Sequence, residues 1–444
     1  MDFLTFKNIV IEKCRELGIA EYELYYQAAE STSVSVFQQE INEFTSSTEG
    51  GVCFRCIVGG KMGYASTEEL SEVQAAAIVA RAADNASVLE AEEPVFLGEG
   101  GKTYQTPDRK PYALPTTESL ISTVLETQKK LYAADSAVID GTQTQGIAER
   151  SETAIYNSKG LDLYSENTLC GLVTGAVVTN GQEMTDSYEV KLGDPASVDI
   201  DAMVRKTVDT ALQKLGGDVA PTGQYPVIFS PEAMCNLLSV YASIFSSENA
   251  QKGLSRLGDK EGTVIASELV TLVDDPFYPG SRQHSFDAEG SPTFTKNVIE
   301  KGTFRTLLYN LKTANLAGKK TTGNASKAGY DAPVAVRPFT MYLVPGEKTE
   351  EALLAPIEKG VYITSLGGLH AGANPISGDF SLQSSGFMIE NGEKTTFVKS
   401  FTVAGNFYSL LKDITEIASE LVTPGMGGFG SPAVRVDGLS IAGK

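Results

Sequence analysis

The strongest local pattern runs through residues 360–407. Val361, Ile363 and Ser365 alternate with Tyr362 and Thr364, the period of two that belongs to a pleated strand. Gly367, Gly368 and Gly372 interrupt it, and Asn374-Pro375 starts a turn. Phe380, Leu382, Phe387, Met388 and Ile389 resume strand material. Asn391-Gly392 then marks a hairpin turn before Phe397, Val398, Phe401 and Val403 return. The stretch predicts an antiparallel meander.

Earlier positions alternate between helical and strand spacing. Leu4, Ile9, Ile11 and Leu17 predict a helix closed by Gly18. Residues 22–28 and 34–44 read as two strands, and 51–58 with 62–65 as a hairpin around Gly59-Gly60. Thr67, with acids behind it, reads as the N-cap of a helix reaching Val88. An acidic, then Gly/Pro-rich excursion covers about 90–115. A helix follows over 116–134, then strands over 137–148, 151–157 and 161–178, then a helix over 199–215. Gly216 to Pro221 combines a helix end with flexible residues and is the best boundary. Beyond it, short strands dominate, with helices near 231–247, 347–356 and 409–418. The expected fold is therefore α+β with two domains: an N-terminal α+β domain over 1–217, and a C-terminal domain over 218–444 dominated by a large antiparallel or mixed β-sheet.

Charge narrows the partners. Fifty-six acids against 36 bases give a net charge of −20, a surface that repels phosphate backbones, so no direct nucleic-acid partner is expected. No apolar run approaches the ~18 residues of a membrane span, and the N-terminus lacks the pattern of a signal peptide. Five scattered cysteines, Cys14, Cys53, Cys56, Cys170 and Cys235, read as reduced thiols. A cytoplasmic location is expected.

Chemistry-bearing motifs are few. Cys53 and Cys56 form a CxxC inside a strand, where an offset of three sends the side chains to opposite faces, wrong for a disulfide or a shared metal. Gly425 to Gly430 matches GxGxxG by letter, but a strand rather than a helix should follow. Gly100-Gly101-Lys102-Thr103 lacks the leading glycine of a phosphate loop, since Phe96 stands there. No GxSxG elbow occurs. The only histidines are His284 and His370. His284, Asp287 and Glu289 could bind a metal or shuttle protons, yet their spacing mixes faces and the segment reads as a surface loop. His370 sits among glycines that serve either a substrate groove or a turn.

The series Gly367-Gly368-Leu369-His370-Ala371-Gly372, Asn374-Pro375, Ser377-Gly378-Asp379-Phe380-Ser381, then the Ile389-Glu390-Asn391-Gly392 turn, then Ala404-Gly405-Asn406, resembles the C-terminal signature of the TldD/PmbA family. Thr271 to Pro276, Asp287 to Thr293, Ile299 to Gly302, Thr322 to Ala325, and Glu49 to Thr67 follow the family order, so the resemblance covers nearly the whole chain. The catalytic TldD branch carries HExxxH on a helix and a C-terminal Cys, which together hold zinc. The matching region here, Val227 to Leu237, contains Glu232 but no histidine, and Gly425-Met426-Gly427 occupies the neighbourhood of the missing Cys. The chain thus resembles the PmbA (TldE) branch.

That resemblance implies a non-catalytic subunit with no cofactor of its own. Zinc is expected in a TldD-like partner, with a homodimer as the other assembly, and the complex would act on peptides or unfolded polypeptides. The older family label, modulator of DNA gyrase, implies an indirect effect. Gly367, Gly368, Leu369, His370, Gly378, Asp379 and Phe380 are the expected substrate- or partner-facing residues, because glycines let a peptide backbone approach closely. Two alternatives stand beside this reading. One is an active homo-oligomeric metallopeptidase with an unorthodox site drawn from His284, His370, Glu232 and perhaps other acids or Cys235. The other is a peptide-binding scaffold without catalysis.

Overall fold

The computed structural model describes residues 1–90, 94–108, 111–193, 198–423 and 428–444. The first half runs α1 (Phe3–Glu16), β1 (Glu21–Phe37), β2 (Glu40–Val58), β3 (Lys61–Thr67), α2 (Glu72–Val88), α3 (Thr117–Ala134), β4 (Gln143–Asn157), β5 (Asp162–Thr179), β6 (Met184–Leu192) and α4 (Ile200–Gln213). The strands form one antiparallel sheet in the order β3-β2-β1-β4-β5-β6. Alternation decides what each face meets. Leu24 of β1 and Val52, Phe54 and Cys56 of β2 pack against Phe6, Val10 and Cys14 of α1 and against Ile78, Val79 and Ala82 of α2. Val34, Val36, Ala148 and Leu172 meet Leu120 and Val124 of α3 and Met203 of α4. All four helices therefore cover one face. Their neighbours in sequence, Glu23, Tyr25, Gln27, Cys53 and Arg55, point to the other.

Several expected boundaries move. Residues 21–37 are one strand rather than the end of one and the start of another, and the turn lies at Gln38-Gln39, both left-handed with φ of 51° and 62°. Glutamines carry no turn signal, so the hairpin was invisible. Residues 143–157 are likewise continuous, and β6 went unread. Ser71, not Thr67, caps α2 by accepting from the Gln74 amide, while Thr67 ends β3.

The second half continues β7 (Asp218–Val219), β8 (Gly223–Phe229), α5 (Pro231–Tyr241), α6 (Ser247–Gln251), β9 (Leu272–Asp275), β10 (Lys296–Glu300), β11 (Thr303–Phe304), α7 (Leu311–Leu316), β12 (Ala325–Ser326), β13 (Ala335–Val336), β14 (Thr340–Leu343), α8 (Glu350–Leu354), β15 (Lys359–Gly367), α9 (Leu369–Gly372), β16 (Asp379–Glu390), β17 (Glu393–Asn406), α10 (Phe407–Asp413), β18 (Ile414–Ile417), β19 (Phe429–Gly430) and β20 (Val434–Ala442). The expected helix over 409–418 is thus a helix and then a strand.

The meander is present as β15-β16-β17, antiparallel throughout. Asn391 and Gly392 at its hairpin have φ of 51° and 82°. β8 pairs parallel to β15 and antiparallel to β20, and β20 also pairs with β17. Strands β8, β15, β16, β17 and β20 therefore close into a ring, with β18 and β7 attached outside it. A second mixed sheet, β11-β10-β9-β14-β19, shares its core: Leu272, Phe304 and Met341 cluster with Val227, Ile363, Leu382 and Phe401. The fold is α+β with a dominant mixed sheet in its second half.

Candidate functional site

The segment from Gly367 to Phe380 leaves β15, makes the single turn of α9 and enters β16. Gly368 reverses the chain with φ 70°, and a Cβ there would meet nothing within 4 Å. Gly378 has φ 84°, and a Cβ would lie 2.4 Å from the Tyr408 ring, so a side chain is excluded twice over. Asn374 fixes the intervening turn: its Oδ1 accepts from the amides of Ile376 (2.9 Å) and Ser377 (3.2 Å).

Asp379 is exposed, and its Oδ1 accepts from Asn406 Nδ2 at 2.8 Å, which holds the carboxyl below its usual range. Its carbonyl accepts from Tyr241 Oη of α5 at 2.9 Å, and Tyr241 stacks on Phe407 at 4.3 Å. Phe380 turns inward, 3% exposed.

Beside these residues lies an open groove of about 620 Å³. Ala373, Pro375, Asp379 and Phe380 line it on one side, and Asn249 and Leu254 on the other. Leu254 and Ile376 are exposed apolar side chains within it. Of the residues read from sequence, Asp379 and Phe380 line the groove. His370 is exposed on α9, and α9 packs beside α5.

Helix α5 covers Pro231 to Tyr241, overlapping the stretch that the resemblance matches to a zinc-binding motif. Ser230 caps it, its Oγ accepting from the Ala233 amide at 3.2 Å, and Pro231 takes the first turn, where its missing N–H costs nothing. Glu232 is half-buried. Cys235 is 4% exposed, points toward the Val422 carbonyl at 3.9 Å, and burial pushes its thiol up to about 12. Such a thiol stays protonated at neutral pH. Pro231 offers no donor, and Asn236 stands one helical turn after Glu232. These residues do not fit a zinc ion. Among the described residues, no three His, Cys, Asp or Glu side chains gather as a metal site. Gly425, Met426 and Gly427 lie outside the described residues.

The polar cluster around His284 corrects the surface-loop reading. Asp287 and Glu289 are 2% and 4% exposed, because the loop inserts between the two halves of the molecule. Asp287 Oδ1 accepts from the amides of Glu289 and Ser291, each at 2.9 Å, and its Oδ2 accepts from Ala325 at 3.0 Å. Glu289 Oε2 accepts from the Leu311 amide at 2.8 Å, at the start of α7. Burial raises both carboxyls above their usual range, while Arg55 pulls Glu289 back.

Arg55 reaches in from β2. Its Nε donates to Glu23 Oε1 at 2.7 Å, and Asn157 Nδ2 donates to Glu23 Oε2 at 3.2 Å. His284 is half-buried with its ring 5.0 Å from Phe339, and burial, aided by Arg282, pushes it down to about 4. It is neutral at pH 7. A buried polar junction results, with Arg55, Glu23 and Asn157 as members that sequence reasoning missed. The lone arginine within the apolar run 52–58 was the available signal.

Three family models match consecutive stretches: PmbA/TldA metallopeptidase domain 1 over 22–87, the central domain over 110–215 and the C-terminal domain over 222–443. The first two supply β1 to β3 and β4 to β6 of one sheet, and the third spans the strand ring. The chain belongs to the PmbA/TldD metallopeptidase family.

Among its relatives, a metalloprotease of Methanothermobacter thermautotrophicus is 27% identical, over 93% of each chain. A metalloprotease PmbA homolog of Haemophilus influenzae is 26% identical, over 93% of this chain and 90% of its own length. A solved protein of Thermotoga maritima, described as a modulator of DNA gyrase, superposes with a TM-score of 0.91 at 28% identity over 99% of this chain and 100% of that one. TldE of Thermococcus kodakarensis superposes with a TM-score of 0.88 at 25% identity, covering 98% of this chain and 99% of its own. No helix among the described residues is long and apolar enough to cross a membrane.

Proposed function

We propose that this chain is the non-catalytic, TldE-type member of a two-component TldD/PmbA peptidase, paired with a chain that carries HExxxH and the zinc and acting on peptides or unfolded polypeptides. The observation that carries this reading is α5. In the stretch where the resemblance expects HExxxH, it presents Pro231, Glu232 and Asn236 with a buried, protonated Cys235. The same helix packs beside α9 and holds the Asp379 carbonyl through Tyr241. The family signature segment and its groove therefore adjoin the helix that lacks ligands, an arrangement suited to presenting substrate or partner surface rather than to activating water.

Co-expression with an HExxxH-bearing paralogue tests the proposal. A stable complex is expected whose zinc follows the paralogue and whose peptide cleavage exceeds that of either chain alone. Stoichiometric zinc and chelator-sensitive cleavage in this chain by itself would overturn it.

A further inference from the structure

The second face of the six-stranded sheet and the loops of the other half enclose a cavity of about 220 Å³, away from the groove and from α5. Tyr25, Gln27, Ser151, Thr153 and Asn167 form its floor; His284, Asp287 and Lys327 lie in its roof. Arg282, exposed and paired with Glu149, marks its mouth.

Two lining groups, the buried Gln27 Oε1 and the half-buried Lys327, lack a matching partner. Gln27 Oε1 is buried and accepts no hydrogen bond among the described residues. Lys327 holds its ammonium over the Tyr25 ring at 4.6 Å and beside Cys53 rather than against a carboxylate. The carboxylate that acts on it, Glu23, is already held by Arg55 and Asn157. Burial accordingly holds Lys327 below the usual lysine range, the mark of a cation short of a counter-charge. The other carboxylates are engaged: Asp287 by three backbone amides and Glu149 by Arg282.

We propose that this cavity binds a small amino carboxylate of amino-acid size, its carboxylate against the Lys327 ammonium and its N–H groups donated to Gln27 Oε1. The mixed lining selects this class. An inorganic anion would satisfy Lys327 but would set its remaining negative charge against Glu149 and Asp287, with no cationic N–H group for Gln27 Oε1. A zwitterion presents both signs and both kinds of hydrogen-bonding group. The site is separate from the peptidase role, and its test does not depend on a partner chain.

Titration calorimetry on the full chain would use L-alanine, its des-amino counterpart propionate, and inorganic phosphate as probes. Saturable binding of L-alanine is expected, with propionate at least tenfold weaker. Lys327→Met should weaken L-alanine at least tenfold, and Gln27→Leu should erase the preference over propionate. Circular dichroism checks that both variants fold; should Lys327→Met fail, the Gln27→Leu discrimination decides. No saturable binding, phosphate binding tighter than L-alanine, or an unchanged preference in Gln27→Leu would overturn the assignment.

Discussion

Glu289 is a carboxyl whose surroundings favour its neutral form, since burial raises it more than Arg55 lowers it. The folded state therefore binds a proton more tightly than the unfolded chain does. The contribution to stability is fully present below the ordinary carboxylate range and is lost as pH rises through the raised value. Glu289→Gln removes that titration while keeping an acceptor for the Leu311 amide. Urea unfolding from pH 5 to pH 8 should show the native chain losing stability relative to Glu289→Gln as pH rises; parallel curves would refute it. Arg55→Met is more severe. It leaves Glu23 and Glu289 in the junction without their cation and should cost about 3–5 kcal/mol in the same unfolding experiment. A loss within error of zero would mean that the pair is dispensable. Asp287 and Glu289 were legible as a polar cluster, but their burial was not, because it depends on Arg55 arriving from a strand more than two hundred positions earlier. Local spacing carries no trace of that meeting.

Among the elements, the β1–β2 hairpin shows how far local chemistry reaches. Gln38 and Gln39 adopt left-handed backbone that costs an ordinary L-residue about 1–2 kcal/mol, only part of which glycine's extra chain entropy would offset. Gln39→Gly should therefore stabilise the protein by roughly 0.5 kcal/mol, read as a higher urea midpoint at unchanged slope; a lower midpoint would show that the glutamine side chain supports the turn. The Asn391-Gly392 hairpin, with the same geometry, was readable because its residues suit that conformation. The Gly367–Phe380 segment was readable as a turn-rich link in the meander. That it shares a groove with Asn249 and Leu254 and lies beside α5 was not, since those neighbours come from distant sequence.

On the scale of the whole molecule, the two halves share polar contacts, buried at Glu289 and exposed at Arg282 and Tyr330, as well as chain. Glu289 faces Arg55, Arg282 pairs with Glu149, Tyr330 Oη donates to Glu68, and Tyr104 Oη donates to the Gly290 carbonyl. Separating the halves would expose Asp287 and Glu289 with their amide donors and leave Arg55 with a single bound face. The two should melt as one calorimetric transition, and Arg55→Met should split it or move it as a whole to lower temperature. Two independent transitions in the native chain would show that the junction is only a contact.

The ring of five strands has a further consequence for how the polypeptide is made. Val227 of β8 is flanked by Val361 and Val436, so both its neighbours emerge long after it on a ribosome that delivers the chain in order. Val227, Ile228 and Phe229, all without solvent exposure in the finished protein, have both edges bare until β15 is made and one edge bare until β20 follows. Growth of this half is a wait rather than a sequence of completed steps. A cell producing the protein must shield that strand, or synthesise quickly past it, until the last arc of the ring arrives.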